Sequence, residues 1–211
     1  MPQCAITIEK IFKQAGAPVG LYTNLLISGK RATALVSDKR IKGVSLTGSE
    51  AAGASIPAEA GKHLKKSVLD LGASDAFIIL EDADIEKTVE WAVIGRINNN
   101  DECCIASIRF ISVESIAPAF LKNFKNKLAA LVIVDPMDSS TQLGPLSSEE
   151  AAVQIADQVK RAVDGGAKIL LGGKRVDREG AFMQSTILID MLPDNPVYCE
   201  ELFGPVAVFF L

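Results

Sequence analysis

The order of apolar and polar positions predicts that helices and short strands alternate along the first third of the chain. Apolar residues at helical spacing predict a helix over residues 4–14, and Gly16 with Pro18 is typical of a helix end. Three apolar runs predict strands, at 21–27, 42–48 and 67–71. Helices are predicted between them, at 29–38 and 49–61. This alternation favours an α/β fold with a doubly wound parallel sheet.

The rest of the chain repeats the pattern after the polar segment that precedes the adjacent cysteines. Strands are predicted at 76–80, 109–113, 168–171, 185–191 and 206–211. Helices are predicted around 89–94 and over 118–130 and 148–163. Ser147 or Ser148, followed by Glu150, resembles the N-terminal cap of the last of these helices.

Composition narrows the classes of partner. The chain of 211 residues is 48% hydrophobic, enough for a buried core, and its net charge of -4 leaves no basic patch for nucleic acid or an anionic membrane. No apolar stretch reaches the roughly 20 residues that span a bilayer, and the start lacks the order of a signal peptide, so a cytoplasmic location is expected. Cysteines at 4, 103, 104 and 199 do not have zinc-site spacing, so no metal is predicted.

A glycine-containing turn follows the predicted strand 42–48. Thr47, Gly48, Ser49 and Gly53 stand where a strand passes into a helix, and free backbone N–H groups at a helix start favour an anion such as phosphate. The turn lacks the motif of a nucleotide-hydrolase phosphate loop and the three-glycine dinucleotide fingerprint. By this pattern alone, an ordinary strand-to-helix turn is the more frequent interpretation.

Cys103 and Cys104 are adjacent, between a polar segment and an apolar strand. A loop on a rigid scaffold is a natural place for a nucleophile, whereas a buried pair of small residues is the structural alternative. Adjacent α-carbons lie about 3.8 Å apart, closer than disulfides prefer, so free thiols are predicted.

Six segments occur together in an order that resembles the aldehyde dehydrogenase superfamily. They are AGAPVG (15–20), SLTGSEAAG (45–53), LDLGASDAFIILEDAD (69–84), ECCIASIRF (102–110), TQLGPL (141–146) and EELFGPV (200–206). The amino-acid sequence of residues 63–85 resembles most closely that of the bacterial succinate-semialdehyde dehydrogenases. The resemblance implies part of a Rossmann-like NAD(P)-binding domain at 1–73 and part of an α/β catalytic domain at 74–211.

The resemblance also implies roles for individual residues. Cys104 is matched to the nucleophile that attacks an aldehyde, and Asp70 to the general base that activates water for hydrolysis of the thioester. Asn99 matches an asparagine with a structural role. Cofactor contacts with NAD or NADP are implied for Thr47, Gly48, Ser49, Gly53, Leu71, Glu201 and Phe203.

Three positions depart from the family pattern. Asp70 stands where glutamate is usual, so its carboxylate is about 1.5 Å short of the expected reach and hydrolysis should suffer. Asp101 and Glu102 stand where glycine and glutamine are usual, which places two negative charges near a thiol that must ionise and near a carboxylate-bearing aldehyde. Ala73 replaces a glycine, which matters if a positive φ is required there.

The resemblance begins and ends inside the family pattern. We therefore expect a chain truncated at both ends, with weak or lost cofactor binding, little activity alone, and exposed sheet edges that invite a homo-oligomer. Its expected partner is a small aldehyde. Two other functions stay open: a non-catalytic interaction module that keeps part of the fold, and a thiol-reactive protein that acylates Cys104 without cofactor.

Overall fold

The computed structural model describes residues 2–211, which divide into two compact units between Gly72 and Ala73. The boundary lies one residue before the predicted one. The assignment of these units to a cofactor-binding and a catalytic domain stays a prediction. The α/β fold class is confirmed, since helices alternate with mostly parallel strands throughout.

The first unit is built around a two-stranded parallel sheet. Its helices are α1 (Pro2–Gln14), α2 (Gly29–Ser37) and α3 (Glu50–Lys62), and its strands are β1 (Gly43–Gly48) and β2 (Lys66–Leu71). α3 joins the two strands, as a parallel pair requires. A small core of Val36, Ile56 and Ala60 lies between the helices and the sheet.

The strand predicted at 21–27 is wrong. This segment has no regular secondary structure, and Leu21, Leu25 and Leu26 are exposed. A strand needs a hydrogen-bonded neighbour, and β1 and β2 pair only with each other. Apolar composition therefore gave a strand pattern in a segment that pairs with no strand.

The second unit contains a five-stranded sheet. Its strands are β3 (Asp75–Ile79), β4 (Ser107–Ser112), β5 (Lys168–Leu171), β6 (Thr186–Ile189) and β7 (Val206–Phe210). They lie in the order β3-β4-β7-β6-β5, and only the β5–β6 pair is antiparallel. The helices are α4 (Ile85–Ile97), α5 (Ala117–Ala129) and α6 (Glu149–Asp164), with a short 3₁₀ turn at Asn98–Asp101.

Apolar layers cover both faces of this sheet, as is typical of sheets with parallel strands. One layer is formed with α6, whose Ile155 and Val159 pack against β6 and β7. The other layer is formed with α4 and α5 and contains a group of phenylalanines, in which the ring centroids of Phe110 and Phe124 are 4.8 Å apart. Asp84 caps α4 by accepting a hydrogen bond from the Lys87 N–H at 3.2 Å.

Several strand edges and apolar side chains face solvent. Both strands of the small sheet have an unpaired edge, and on β2 the side chain of Val68 is 66% exposed. β3 is an edge strand of the larger sheet, and its Ile78 is 65% exposed. Within residues 2–211 no helix has both the length and the apolar character needed to cross a membrane.

Candidate active site

Asp70 and Thr47 are neighbours at the carboxyl end of the small sheet. Their α-carbons are register partners in the parallel pairing of β1 with β2. Both residues are exposed. The carboxyl ends of parallel strands are where α/β folds bind their ligands, so a carboxylate and a hydroxyl are available together at this edge.

The turn from β1 to α3 has the features of a helix start that can accept an anion. Ser49 is the N-cap, and its hydroxyl accepts a hydrogen bond from the Ala52 N–H at 3.4 Å. The first N–H groups of a helix have no backbone partner inside it, and that of Ala52 is the one that Ser49 engages here. These donors fit the pyrophosphate of a dinucleotide, although Glu50 adds a negative charge to the same turn.

Gly53 and Leu71 pack against each other. A Cβ on the buried Gly53 would lie 2.5 Å from Leu71 Cδ1, so the missing side chain lets α3 approach β2 closely. This gives both residues a packing role, and a cofactor contact for them stays a prediction. Ala73 does not have a positive φ, so its replacement of glycine causes no backbone strain.

Cys104 lies on an exposed turn in the second unit, three residues before the start of β4. Cys103 is half-buried beside it, and all four cysteines of the chain are free thiols. Within residues 2–211, no three His, Cys, Asp or Glu side chains are grouped so as to hold a metal ion. An exposed thiol at the start of a buried strand is accessible to an electrophile and anchored by the sheet.

The loop before Cys104 has an unusual backbone. Asn99, Asn100 and Asp101 all have left-handed conformations, with φ of 53°, 57° and 65°. Asparagine and aspartate adopt this region more readily than most residues, while glycine adopts it without strain. The Asn99 amide donates to the Glu102 carbonyl at 2.9 Å, which agrees with the structural role implied for it.

Asn100 fastens this loop to a distant segment. Its Oδ1 accepts a hydrogen bond from the Gly144 N–H at 2.7 Å, and its Nδ2 donates to the Pro145 carbonyl at 2.8 Å. Both partners belong to the predicted signature segment at 141–146. The amide therefore joins two segments that are far apart in sequence.

The two acidic residues that replace glycine and glutamine are both engaged. Asp101 is fully buried and forms an ion pair with Arg96 of α4, whose guanidinium also donates to the Ser107 carbonyl at 2.9 Å. Glu102 accepts hydrogen bonds from the Ser147 N–H at 2.8 Å and from the Ser147 hydroxyl at 2.5 Å. Both carboxylates thus have partners of their own, and of these partners only Arg96 carries a positive charge.

The segment that carries Glu201 and Phe203 is held by α6. Arg161 donates twice to the Glu200 carboxylate, at 2.6 and 2.8 Å, and Gln158 donates to Glu200 at 2.9 Å and to the Glu201 carbonyl at 3.0 Å. The hydrogen bonds from Arg161 lower the pKa of Glu200 and raise that of Arg161. Phe203 is exposed and Glu201 half-buried.

Arg96 lies within electrostatic range of this same segment. Burial lowers the pKa of Arg96, and the negative charge of Glu201 acts in the opposite direction. Arg96 therefore interacts both with the nucleophile loop, through Asp101, and with the segment that contains Glu201.

Sequence reasoning missed the residues that hold the loops in place. Gln158 was detectable, because it is a polar residue on the helical face that otherwise carries Ile155, Val159 and Ala162. Arg96 was detectable for a similar reason, because it is a charged residue near the end of an apolar helix. The partnership of Glu102 with Ser147 had no local signal, because the two residues are far apart in the chain.

The predicted site residues fall in both units. Asp70, Thr47, Gly48 and Ser49 come together at one end of the small sheet. Cys104 and the Glu201 segment belong to the second unit. That all of them surround one cleft stays a prediction.

Comparisons of sequence give a consistent picture. The model of the aldehyde dehydrogenase family matches residues 1–210. A succinate-semialdehyde dehydrogenase [NADP(+)] of Deinococcus radiodurans is 46% identical over 209 residues, which are 99% of this chain and 44% of that protein. A probable enzyme of the same kind from Synechocystis is 43% identical and matches 100% of this chain and 46% of its own length.

Solved structures agree with these relatives. Gox0499 superposes with a TM-score of 0.93 at 49% identity, over 99% of this chain and 46% of its own. The succinic semialdehyde dehydrogenase of Streptococcus pyogenes, in complex with NADP⁺, gives a TM-score of 0.93 at 42% identity, again over 99% and 46%. The chain thus spans somewhat less than half the length of the relatives it matches.

Proposed function

The chain belongs to the aldehyde dehydrogenase family, and we propose that it carries the nucleophile and the hydrolytic base of an NADP-dependent enzyme that resembles the succinate-semialdehyde dehydrogenases. The observation that carries this proposal is the exposed Cys104 thiol on a loop that Asn100 and Glu102 both fasten to residues 144–147. A fixed loop with an accessible thiol is the arrangement that covalent catalysis requires.

In this proposal the Cys104 thiolate adds to the aldehyde carbonyl, and a C–S bond forms as the carbonyl π bond breaks. NADP, when bound, supplies the hydride acceptor that oxidises the adduct to a thioester. Water then attacks the carbonyl carbon of the thioester while Asp70 takes a proton from the water. The C–S bond breaks, the Cys104 thiolate is the leaving group, and the product is a carboxylic acid. Asp70 therefore acts only after acylation, whereas Cys104 takes part both in acylation and in hydrolysis of the thioester.

The residues proposed to hold the cofactor are those of the β1–α3 turn and of the segment from Glu201 to Phe203. Gly48 and Ser49 offer the start of α3 to the pyrophosphate, which suits an anion. The preference for NADP is supported by the cofactor named for the Deinococcus and Streptococcus proteins. The preference for succinate semialdehyde is likewise supported by the substrate in their names.

We further propose that this chain alone turns over aldehydes much more slowly than a full-length relative. The carboxylate of Asp70 is about 1.5 Å shorter in reach than the usual glutamate. β2, which carries Asp70, also leaves Val68 and Leu69 exposed, so the base is supported by few packing contacts. Reduced-cofactor absorbance with succinate semialdehyde and NADP⁺ measures this rate, and turnover like that of a full-length relative contradicts the proposal.

An ester substrate tests the two catalytic roles without cofactor. With p-nitrophenyl acetate, acylation of Cys104 releases p-nitrophenolate in a burst, and hydrolysis of the acyl-enzyme sets the later steady rate. We expect Cys104→Ser to abolish the burst and Cys103→Ser to keep it. Asp70→Asn is expected to keep the burst but slow the steady rate, and Asp70→Glu to raise it.

The matched control for Asp70 is Asp75→Asn, an exposed carboxylate at the start of β3. It should leave both phases unchanged. A burst that survives Cys104→Ser contradicts the assignment of the nucleophile. A steady rate that Asp70→Asn does not alter contradicts the assignment of the base.

A non-catalytic interaction module is the second candidate, and the unpaired edges of β1, β2 and β3 favour it. Exposed edges can add a strand from another chain, including a second copy. Size-exclusion chromatography with light scattering measures this directly. A chain that stays monomeric as its concentration is raised contradicts a role based on edge pairing.

A further inference from the structure

We propose that Glu102 is a positioning residue that latches the Cys104 loop to the start of α6, so that α6 fixes this loop relative to the Glu201 segment. The inference rests on the proposed function and adds a residue for which the family resemblance gives no role. Glu102 is also a departure from the family pattern, so the latch belongs to this chain's own sequence.

The latch has two donors and one carboxylate. Ser147 donates from its N–H and its hydroxyl, and the two bonds reach different oxygens of Glu102, at 2.8 and 2.5 Å. Hydrogen bonds to an ionised acceptor are stronger than neutral ones. Because both oxygens are engaged, the carboxylate is fixed in orientation as well as in position.

Ser147 stands next to the N-cap of α6. Ser148 caps the helix by accepting a hydrogen bond from the Ala151 N–H at 3.1 Å, so Ser147 is tied to a rigid element. Farther along the same helix, Gln158 and Arg161 hold Glu200 and the Glu201 carbonyl. One helix therefore contacts the nucleophile loop near its start and the Glu201 segment near its end.

The loop is also fastened to α4. The buried ion pair of Asp101 with Arg96 holds the residue directly before Glu102. With Asn100 bound to Gly144 and Pro145, three consecutive side chains of the loop have partners outside it. The left-handed backbone at 99–101 is thereby held in a conformation that a free loop rarely adopts.

Loss of the latch is expected to change the position from which the Cys104 thiol attacks. Cys104 lies two residues after Glu102, so a loop released from Ser147 no longer fixes the position of the thiol relative to α6. Reactions that depend on orientation lose rate when a reacting group is misplaced by about 1 Å. Loss of the latch should therefore slow acylation of Cys104 without unfolding the second unit.

Amide hydrogen exchange tests the latch without any catalytic readout. Glu102→Ala should increase exchange over residues 98–106 by about tenfold, the size expected for losing charge-assisted hydrogen bonds at a half-exposed site. Glu102→Gln keeps one acceptor oxygen and should recover most of the protection. Glu114→Ala, an exposed glutamate in the loop after β4, is the matched control and should change nothing.

A double-mutant cycle assigns the effect to the Glu102–Ser147 contact. Ser147→Ala removes the hydroxyl and should also increase exchange. Adding it to Glu102→Ala should increase exchange little further, because the contact is already lost. Fully additive effects, or a Glu102→Ala loop that exchanges within twofold of the parent, overturn the latch. Urea unfolding of each variant should show a midpoint close to the parent's, which separates local release from general destabilisation.

Labelling of Cys104 by iodoacetamide supplies the second readout, in a background with Cys4, Cys103 and Cys199 replaced by serine. The ester burst rate in Glu102→Ala should fall while labelling by the small reagent falls less, because labelling needs access but little orientation. A parent without any ester burst contradicts the proposed function and leaves the exchange result to decide the latch. A parent burst that Glu102→Ala leaves unchanged overturns the latch and keeps the proposed function.

Discussion

The removal of one carboxylate, in Glu200→Ala, is predicted to destabilise the second unit in a pH-dependent way. Glu200 accepts two hydrogen bonds from Arg161 and one from Gln158, which is 5% exposed. The variant leaves the Arg161 charge without this partner and deprives a buried amide of one of its acceptors. Gln158 keeps its bond to the Glu201 carbonyl, so the amide is not left unpaired.

The magnitude follows from the number of bonds and their exposure. The side chains of Arg161 and Glu200 are 38% and 35% exposed, so solvent screens their attraction. Three lost hydrogen bonds at a screened site correspond to about 2 kcal/mol of unfolding free energy. Glu179→Ala, in an exposed loop, is the matched control and should stay within about 0.5 kcal/mol of the parent.

The sign of the pH dependence follows from the lowered pKa of Glu200, whose principal cause is the hydrogen bonding from Arg161. A carboxylate with a lowered folded-state pKa stabilises the protein above its unfolded value, here 4.5, and this contribution is lost as the pH falls through the folded-state pKa. The difference between parent and variant should therefore be full at pH 7 and should shrink below pH 4.5.

Urea unfolding measures this difference. Circular dichroism reports the whole chain, and the fluorescence of its single tryptophan, Trp91 in α4, reports the second unit. A destabilisation that is equal at pH 7 and pH 4 refutes the electrostatic reasoning. A variant as stable as the parent at pH 7 refutes the structural role of the contact altogether.

Three further predictions concern stability, each measured by urea unfolding at neutral pH. Asn100→Ala should lower the free energy of unfolding by about 2 kcal/mol, because it removes both hydrogen bonds to residues 144–145. Asn100→Gly should lower it less, because glycine accepts the left-handed backbone, and equal losses in the two variants contradict this backbone contribution. Gly53→Val should cost about 1–3 kcal/mol, because its side chain meets Leu71, and a neutral result contradicts the close packing of α3 on β2. Gly172→Ala should cost about 3 kcal/mol or more, since φ is +67° and its Cβ would overlap the Ser185 carbonyl oxygen, and a fold that tolerates alanine contradicts this geometry.

The sequence predicted those elements that are determined by local pattern. β4 alternates buried and half-buried residues, and its apolar run was visible. The cap of α6 was predicted at Ser147 or Ser148 from the type of side chain, and Ser148 is the residue that caps it. The family assignment is confirmed by a match over residues 1–210.

The features that sequence reasoning missed depend on distant partners. The segment 21–27 has the composition of a strand but pairs with none, which no local pattern reveals. Sequence reasoning gave no partners for Asp101 and Glu102, which are engaged by Arg96 and Ser147. Both outcomes follow from contacts that exist only once the chain has folded.

A competition among the four cysteines tests the central claim most directly. Cys4, Cys104 and Cys199 are all exposed, so accessibility alone does not rank them. Limited iodoacetamide at neutral pH, followed by peptide mapping, gives the labelling rate of each thiol in the same molecule. An activated nucleophile at position 104 predicts that Cys104 is labelled several times faster than Cys4 and Cys199, and equal rates for the three contradict it.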